Sequence, residues 1–438
     1  MEWLPALCLL LGTMVIFMGM GLPVAFSFLS VNVIGAAVFL GGAPGLSQLA
    51  RNCVASLTSF TLVPIPLFIL LGEILFHTGV ATRAIDAVEK LISRVPGRLS
   101  IVSVVAGTIF ASLSGSTIAN TAVLGSVLLP NMLKQGYHPS IAMGPIMATG
   151  GIAMLIPPSA LGVLLGSLSG ISISGLLIAG IVPGVMMSAL FLGYIIIRCI
   201  LNPALAPALE SERLRGWQRL RPFVVYVLPL MSIFAVIVGS IILGWATPTE
   251  SAALGCVASA LAAAGYRSLT FRSLKTSLTE TAKISVMILF IIAASVTFSQ
   301  ILTFSGATNG LLRLITGLGL ATPVLIAGMI LVLLFLGCFM DQVSMLMITI
   351  PFFIPLAQSL NIPMLWLGVL MLIVMEVSFT TPPFGLILYV MKGVAPREIT
   401  MRQIYAAAAP FIGLEMVVLA ALFLFPQLVT WLPSVVGR

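Results

Sequence analysis

Asp341 is one of only two aspartates in the chain, and it closes the apolar stretch Gly337-Cys338-Phe339-Met340 ahead of another long apolar run. A carboxylate at that depth needs a partner. Either it coordinates a monovalent cation from the bend of a hairpin, or it accepts backbone amides and holds the bend together. A second polar break, Ser114-Gly115-Ser116-Thr117 followed by Asn120, interrupts another apolar stretch. Two more stretches are broken by proline pairs, Pro157-Pro158 ahead of Ser159 and Pro382-Pro383 after Thr380 and Thr381. Proline removes a helical hydrogen bond and turns the preceding residue away from the α conformation, so paired prolines unwind the chain. Carbonyls freed in this way replace the water around a sodium ion, and helix N-termini turn partial positive charge towards an anion. The neighbouring hydroxyls and the Asn120 amide add further polar groups. Three other acids lie among apolar residues. Glu73, in Leu71-Gly72-Glu73-Ile74, suits proton coupling or helix association. Glu250, in Thr247-Pro248-Thr249-Glu250-Ser251, reads as a carboxylate closing a helix start, and Glu376 stands where it could brace the second Pro-Pro turn.

The elements that must position these groups are membrane helices. Of 438 residues, 60% are hydrophobic and only 7% charged, against roughly 25% charged in soluble domains. Apolar spans, many near the roughly 20 residues that cross hydrocarbon, run over 3–19, 22–41, 60–78, 100–130, 140–170, 173–200, 223–243, 248–265, 284–305, 321–356, 363–395 and 404–426. The first stretch lacks a basic start and a small-residue cleavage site, so it reads as a retained helix rather than a signal peptide. All four breaks lie within spans. Backbone polar groups cannot go unpaired against lipid, so the breaks are expected to converge on one central cavity.

The breaks share a register. Pro382 follows Pro157 by 225 positions, and the same separation carries Pro130 to Pro355, Pro158 to Pro383 and Ser116 to Asp341. A separation of 227 relates Ile74, Leu75 and Gly79 to Ile301, Leu302 and Gly306. The net charge of +8 suggests nucleic acid until its placement is read. Arg83, Lys90, Arg94 and Arg98 form one group, Arg213, Arg215, Arg219 and Arg221 a second, and Arg267, Arg272 and Lys275 a third. Such clusters mark cytoplasmic loops. With all three groups inside, the first interrupted span enters from the cytoplasm and the second from the opposite side. The fold expected is therefore an all-α polytopic membrane protein of inverted repeats, with two re-entrant hairpins and two unwound helices, as in secondary transporters.

Other chemistries find little support. Cys8, Cys53, Cys199, Cys256 and Cys338 are scattered singly, and His77 and His138 are the only histidines, so no zinc site is indicated. Asp86 lies in a polar segment and neither histidine follows a nucleophile motif, which argues against an intramembrane protease. No phosphate-binding G-x-x-x-x-G-K-[ST] loop supports an ATP-driven pump. A channel also uses carbonyl-lined breaks, but inverted halves with two hairpins favour alternating access.

The chain resembles the large membrane (permease) subunit of the tripartite ATP-independent periplasmic (TRAP) transporters, DctM-like. The resemblance rests on Gly19 to Phe26, Ser114 to Asn120, Gly125 to Pro130 with Gly136-Tyr137, and Gly150-Gly151 with Ile156 to Ser159. It continues through Ala179-Gly180 with Pro183-Gly184, Thr247 to Ala253, Gly337 to Asp341 and Thr381 to Gly385. Val374 stands where the family pattern Asn-x-Glu has asparagine; Glu376 keeps the acid.

The resemblance implies a sodium-driven elevator in the bacterial inner membrane, not an enzyme. It takes up a small organic acid (a carboxylate, often a dicarboxylate) delivered by a periplasmic binding protein, alongside a separate small subunit of four membrane helices. A proton-coupled transporter or antiporter of the same architecture is the alternative. The implied sodium ligands are Ser114, Ser116, Gly151 and Pro158 in one half and Asp341 and Thr381 in the other. The implied substrate contacts are Thr117, Asn120, Ser159 and Gly385. The implied division is scaffold helices and a first arm over 1–98, then the first transport half (hairpin and broken helix) over 99–170. Scaffold, cytoplasmic linkers and a second arm follow over 171–320, the second transport half over 321–395, and a C-terminal scaffold helix over 396–438. The arms at 83–98 and 201–222 are expected along the membrane surface.

Overall fold

A computed structural model of the chain describes residues 3–92, 95–207, 216–383 and 385–436. Arg94, Arg213 and Arg215 of the basic clusters, and Phe384 of the second Pro-Pro motif, lie outside the described residues. Among those described, all regular structure is helical. The first five helices are α1 (Trp3–Gly19), α2 (Val24–Phe39), α3 (Ala43–Leu57), α4 (Pro64–His77) and α5 (Val80–Leu91). A hairpin of α6 (Arg98–Ser114) and α7 (Thr117–Lys134) comes next, then α8 (Pro139–Ile152), α9 (Ala160–Ser169) and α10 (Ile173–Leu201). Short α11 (Trp217–Pro222) continues through the π-helical turn Phe223–Val227 into α12 (Leu228–Ile242). The remainder comprises α13 (Pro248–Gly265), α14 (Phe271–Phe304), α15 (Ala307–Gly317), α16 (Thr322–Gly337), α17 (Gln342–Ser359), α18 (Met364–Thr380), α19 (Leu386–Val394), α20 (Met401–Leu424) and α21 (Gln427–Val436).

Six of these stretches are long and apolar enough to cross a membrane: Phe60–His77, Ile173–Leu201, Trp217–Ile242, Phe271–Phe304, Gln342–Ser359 and Met401–Leu424. Shorter apolar helices, including α1, α2, α6, α16 and α18, pack beside them. Segments read from the sequence as loops prove helical. The basic stretch 266–283 supplies the first turns of α14, because Thr270 and Ser273 form a reciprocal cap and Lys283 pairs with Glu280 at 2.7 Å. At 34 residues α14 is about 51 Å long, so its charged start projects beyond a hydrocarbon layer of about 30 Å. The second basic cluster likewise enters helix at Trp217.

The arms are tied to each other and, through Arg83, to the end of α13. Arg219 Nε donates to the Leu91 carbonyl at the end of α5 at 2.9 Å, Arg83 reaches the Tyr266 carbonyl at 3.2 Å, and Arg98 pairs with Glu89 at 2.8 Å. Arginine at a helix C-terminus satisfies a carbonyl the helix itself leaves free. Glu250 holds the start of α13 as its motif suggested: it accepts from Thr247 N at 2.7 Å while Thr247 Oγ1 accepts from Glu250 N at 3.3 Å.

Two groups of helices are packed among themselves. In one, α14 lies against α2, α3 and α4, α13 against α4, and α12 against α13. Asn32 of α2 clamps α14 by donating to the Ala294 carbonyl and Thr297 Oγ1, both at 2.6 Å. In the other group α8 is the central post, with α6, α7 and α20 against it. There α18 packs on α16 and α20, and α10 on α6, α9, α20 and α21. The groups meet where α4 touches α6 and α9, where α12 touches α6 and α10, and where α14 touches α17, with α5 packed on both α4 and α6. The elements also recur along the chain. Thr117 and Gln342, 225 residues apart, each open an 18-residue helix, and Gly79 and Gly306 open α5 and α15 in the same left-handed conformation.

Candidate functional site

Both hairpins bend at their polar breaks. α6 ends at Gly115, whose φ of +57° lies in the left-handed region that only glycine enters freely. Ser116 then caps α7 by accepting from Ala119 N at 3.3 Å, and Ser114 Oγ accepts from Ser116 N at 3.4 Å. In the second hairpin Asp341 caps α17: one carboxylate oxygen accepts from Ser344 N at 3.1 Å and the other from the Ser344 hydroxyl. Of the two roles open to Asp341, the bend-holding contacts are therefore present, while the residue also keeps a face on the cavity described below.

Both proline pairs are cis and unwind their helices. After the first, Ser159 restarts the helix by accepting from Gly162 N at 3.0 Å. At the second, Thr381 ends α18 and bonds back to the Val377 carbonyl at 2.5 Å, and Gly385 N returns to the Thr381 carbonyl at 3.1 Å. Each proline turn abuts the hairpin of its own half. A Cβ placed on Gly115 would stand 3.0 Å from the Pro158 carbonyl oxygen, and Cys338 Sγ lies 3.8 Å from the Pro382 carbonyl oxygen.

These pieces surround one cavity of about 350 Å³. The first tip contributes residues 114–118, the second 341–343, and the restarted helices Ala160 and Leu386. The opposite packing group supplies Ile65, Ile69 and Glu73 from α4 and Met287 and Ile288 from α14. Among the sodium and substrate ligands expected from the sequence, Ser114, Ser116, Thr117 and Asp341 line this cavity. Ser159 and Gly385 immediately precede its lining residues Ala160 and Leu386, while Pro158 and Thr381 stand in the turns behind.

Asn120 and Gly151 lie deeper. Asn120 is fully buried and donates to the Gly107 and Thr149 carbonyls at 3.3 and 3.0 Å, tying α7 to α6 and α8 rather than facing the cavity. Gly151 receives the Glu376 carboxyl, which occupies the space a Cβ would need. A long-range contact also joins the halves, Gln342 Nε2 to Met154 Sδ at 3.3 Å.

Some of this was not read from the sequence. Glu73 was singled out as an acid but not as part of the cavity wall. Glu415, fully buried on α20 and accepting from Thr380 Oγ1 at 3.3 Å, is a further intramembrane acid beyond Glu73, Glu250 and Glu376. Its signal was present, an acid inside the apolar run Met401–Leu424.

The sequence profile described as "Tripartite ATP-independent periplasmic transporter, DctM component" matches residues 11–428. The chain is 32% identical over 412 residues to the C4-dicarboxylate TRAP transporter large permease protein DctM of Pseudomonas aeruginosa, covering 93% of this chain and 94% of that protein. It is 29% identical over 436 residues to the ectoine TRAP transporter large permease protein TeaC of Halomonas elongata, covering 98% and 99%. Among solved structures it is similar to the YdaH transporter of Alcanivorax borkumensis, with a TM-score of 0.62, 15% identity and 90% of each chain covered, a likeness of fold.

Proposed function

The chain belongs to the DctM-component family of the tripartite ATP-independent periplasmic transporters, and from that premise we propose that it drives sodium-coupled uptake of a small carboxylate by an elevator motion. It is a multi-pass membrane permease. The observation that carries the finer reading is the single cavity onto which both hairpin tips and both restarted helices open, facing α4 and α14 of a separate packing group. A site bounded on one side by one group and on the other by the second changes access when one group slides past the other.

In this reading the moving body holds the two hairpins and α8, α9, α18 and α19. It also takes in α10 and α20, which pack on α8 and α18, and so is wider than 99–170 and 321–395. The two halves enter the membrane from opposite sides, supported by the recurring element order and by the basic segments. The sodium ligands come from Ser114, Ser116, Gly151, Pro158, Asp341 and Thr381, chiefly through backbone oxygens at the breaks. Substrate lies near Thr117, Ser159 and Gly385, with Asn120 holding the frame behind. Relatives are named for C4-dicarboxylate and for ectoine, and both solutes carry a carboxylate. A small membrane subunit and a periplasmic binding protein complete the system in the bacterial inner membrane.

The test is uptake by proteoliposomes holding this chain and its small subunit, with candidate binding proteins and an imposed sodium gradient. Saturable uptake that collapses when sodium is equilibrated is expected. Uptake driven by a pH gradient in sodium-free buffer is the result that belongs to the proton-coupled alternative and would overturn sodium coupling.

A further inference from the structure

The two broken helices touch at corresponding positions. Glu376 of α18 follows Gly151 of α8 by 225 positions, the separation that relates the two proline pairs. Its carboxyl lies against Gly151, in the space a side chain there would fill. Glu376 is fully buried, and neither of its carboxylate oxygens has a hydrogen-bond partner among the described residues. Glu415, equally buried, meets it from α20, which packs on both α8 and α18. Its Oε2 accepts from the hydroxyl of Thr380, one helical turn beyond Glu376, at 3.3 Å, and its Oε1 has no partner among the described residues. Even that hydroxyl is contested, since the Val377 carbonyl oxygen lies 3.0 Å from it. No protein cation answers these acids. The basic side chains on α18, α20 and the helices packed against them are Arg198, Lys392 and Arg402. Arg198 lies over the Tyr194 ring, 5.9 Å from its centre. Lys392 donates to the Arg397 carbonyl at 3.4 Å and to the Ile399 carbonyl, and Arg402 stands exposed in the first turn of α20. α8 and α18 also end close by, at Ile152 and Thr380, and helix C-termini carry partial negative charge. Two carboxyls and two helix ends of one sign, out of water, call for a cation between them.

We infer that Glu376 and Glu415 hold a sodium ion at this junction, with carboxylate oxygens of both and the Thr380 hydroxyl among its ligands, apart from the ions proposed at the hairpin tips. Carboxylate and hydroxyl oxygens are the donors that hard cations take, and the choice of sodium among them rests on the proposed sodium coupling. The ion sits where α8 of one half meets α18 of the other, and so it fastens the two halves of the moving body together.

Counting bound ions tests this. The purified chain with its small subunit is equilibrated with radioactive sodium at constant ionic strength, choline replacing sodium, and the ions held per chain at saturation are read. Glu376→Gln and Glu415→Gln keep the shape of the side chain and remove its charge. Each is expected to hold one sodium ion fewer than wild type, with its unfolding temperature in sodium-free buffer unchanged or raised. Asp341→Asn is expected to lose a different ion, so that Glu376→Gln combined with Asp341→Asn loses both. A wild-type count in Glu376→Gln and Glu415→Gln overturns the inference and leaves the two acids as a pair that holds its own proton. A combined variant that loses no more than Asp341→Asn alone overturns it too, because the ion would then belong to the tips. Should Glu376→Gln fail to fold, Glu415→Gln decides alone. If wild type binds no sodium at all, the sodium-coupled reading falls and takes this inference with it; sodium lost only in Asp341→Asn leaves that reading standing and removes this one.

Discussion

Gly72 offers a direct test of the two-body arrangement. It sits where α4 meets the first hairpin tip: a Cβ added there would stand 2.5 Å from the Ser114 carbonyl oxygen and 2.9 Å from its Cα. Ordinary contact begins near 3.4 Å, so Gly72→Ala forces the tip and α4 apart by about 0.9 Å. The obstructing atoms are backbone, which has no rotamer to escape into. Overpacking of this kind costs about 1–3 kcal/mol. If the contact exists only while the tip lies against α4, the whole cost falls on that state. The balance then shifts by about 5- to 150-fold towards the alternative. Spin labels on α3 and α21, one in each packing group, report the shift as a second distance population. Gly144→Ala is the control, because its Cβ would meet the Ala407 carbonyl at 2.6 Å and the Phe411 ring within one packing group. That variant should lower the unfolding temperature and leave the distances unchanged. A folded Gly72→Ala protein with wild-type distances refutes the sliding of one group against the other.

Asp341→Asn separates charge from capping, since asparagine caps a helix about as well as aspartate; sodium-dependent uptake in proteoliposomes should be abolished or greatly weakened while the unfolding temperature holds. Unchanged sodium dependence would leave Asp341 with the bend-holding role alone. Thr247→Ala removes the reciprocal cap of α13 and should cost about 1 kcal/mol in a denaturation measurement, with uptake intact, because α13 lies away from the cavity. Gly151→Ala drives a methyl into the Glu376 carboxyl and should destabilise by about 1–3 kcal/mol. Adding Glu376→Ala should recover part of that loss in a double-mutant cycle, and purely additive losses would deny the contact.

Much of the architecture was legible because lipid makes backbone breaks conspicuous. Ser114 to Thr117, Pro157-Pro158, Asp341 and Pro382-Pro383 stood out against apolar surroundings, and all four breaks gather at or directly behind the one cavity. The shared separation of 225 residues aligns α7 with α17. What escaped was helix made from mixed residues. α3 carries Gln48, Arg51 and Asn52, and α15 carries Thr308, Asn309 and Arg313. A search for apolar runs passes over both, although helices flanking a bundle need only one apolar stripe. Hidden for another reason was the far wall of the cavity. Ile69, Met287 and Ile288 look like any lipid-facing residues, and only the packing of α4 and α14 against the tips gives them a role.

The same geometry explains why the breaks matter more than the polar side chains within them. Ser116, Ser159 and Asp341 each accept from the N–H three residues on, and so complete the first turn of α7, α9 and α17. Thr381 bonds back to its own helix. These side chains therefore spend much of their bonding capacity on shaping the bends. The backbone is what they leave over: carbonyls at Gly115 and Pro158, and N–H groups at four helix starts, gathered because Gly115 can adopt a positive φ and Gly72 lets α4 approach. Backbone ligands tolerate changes of side chain that a carboxylate or histidine site does not. In the proposed reading, straightening a bend would therefore cost ion binding more than exchanging a side chain within it.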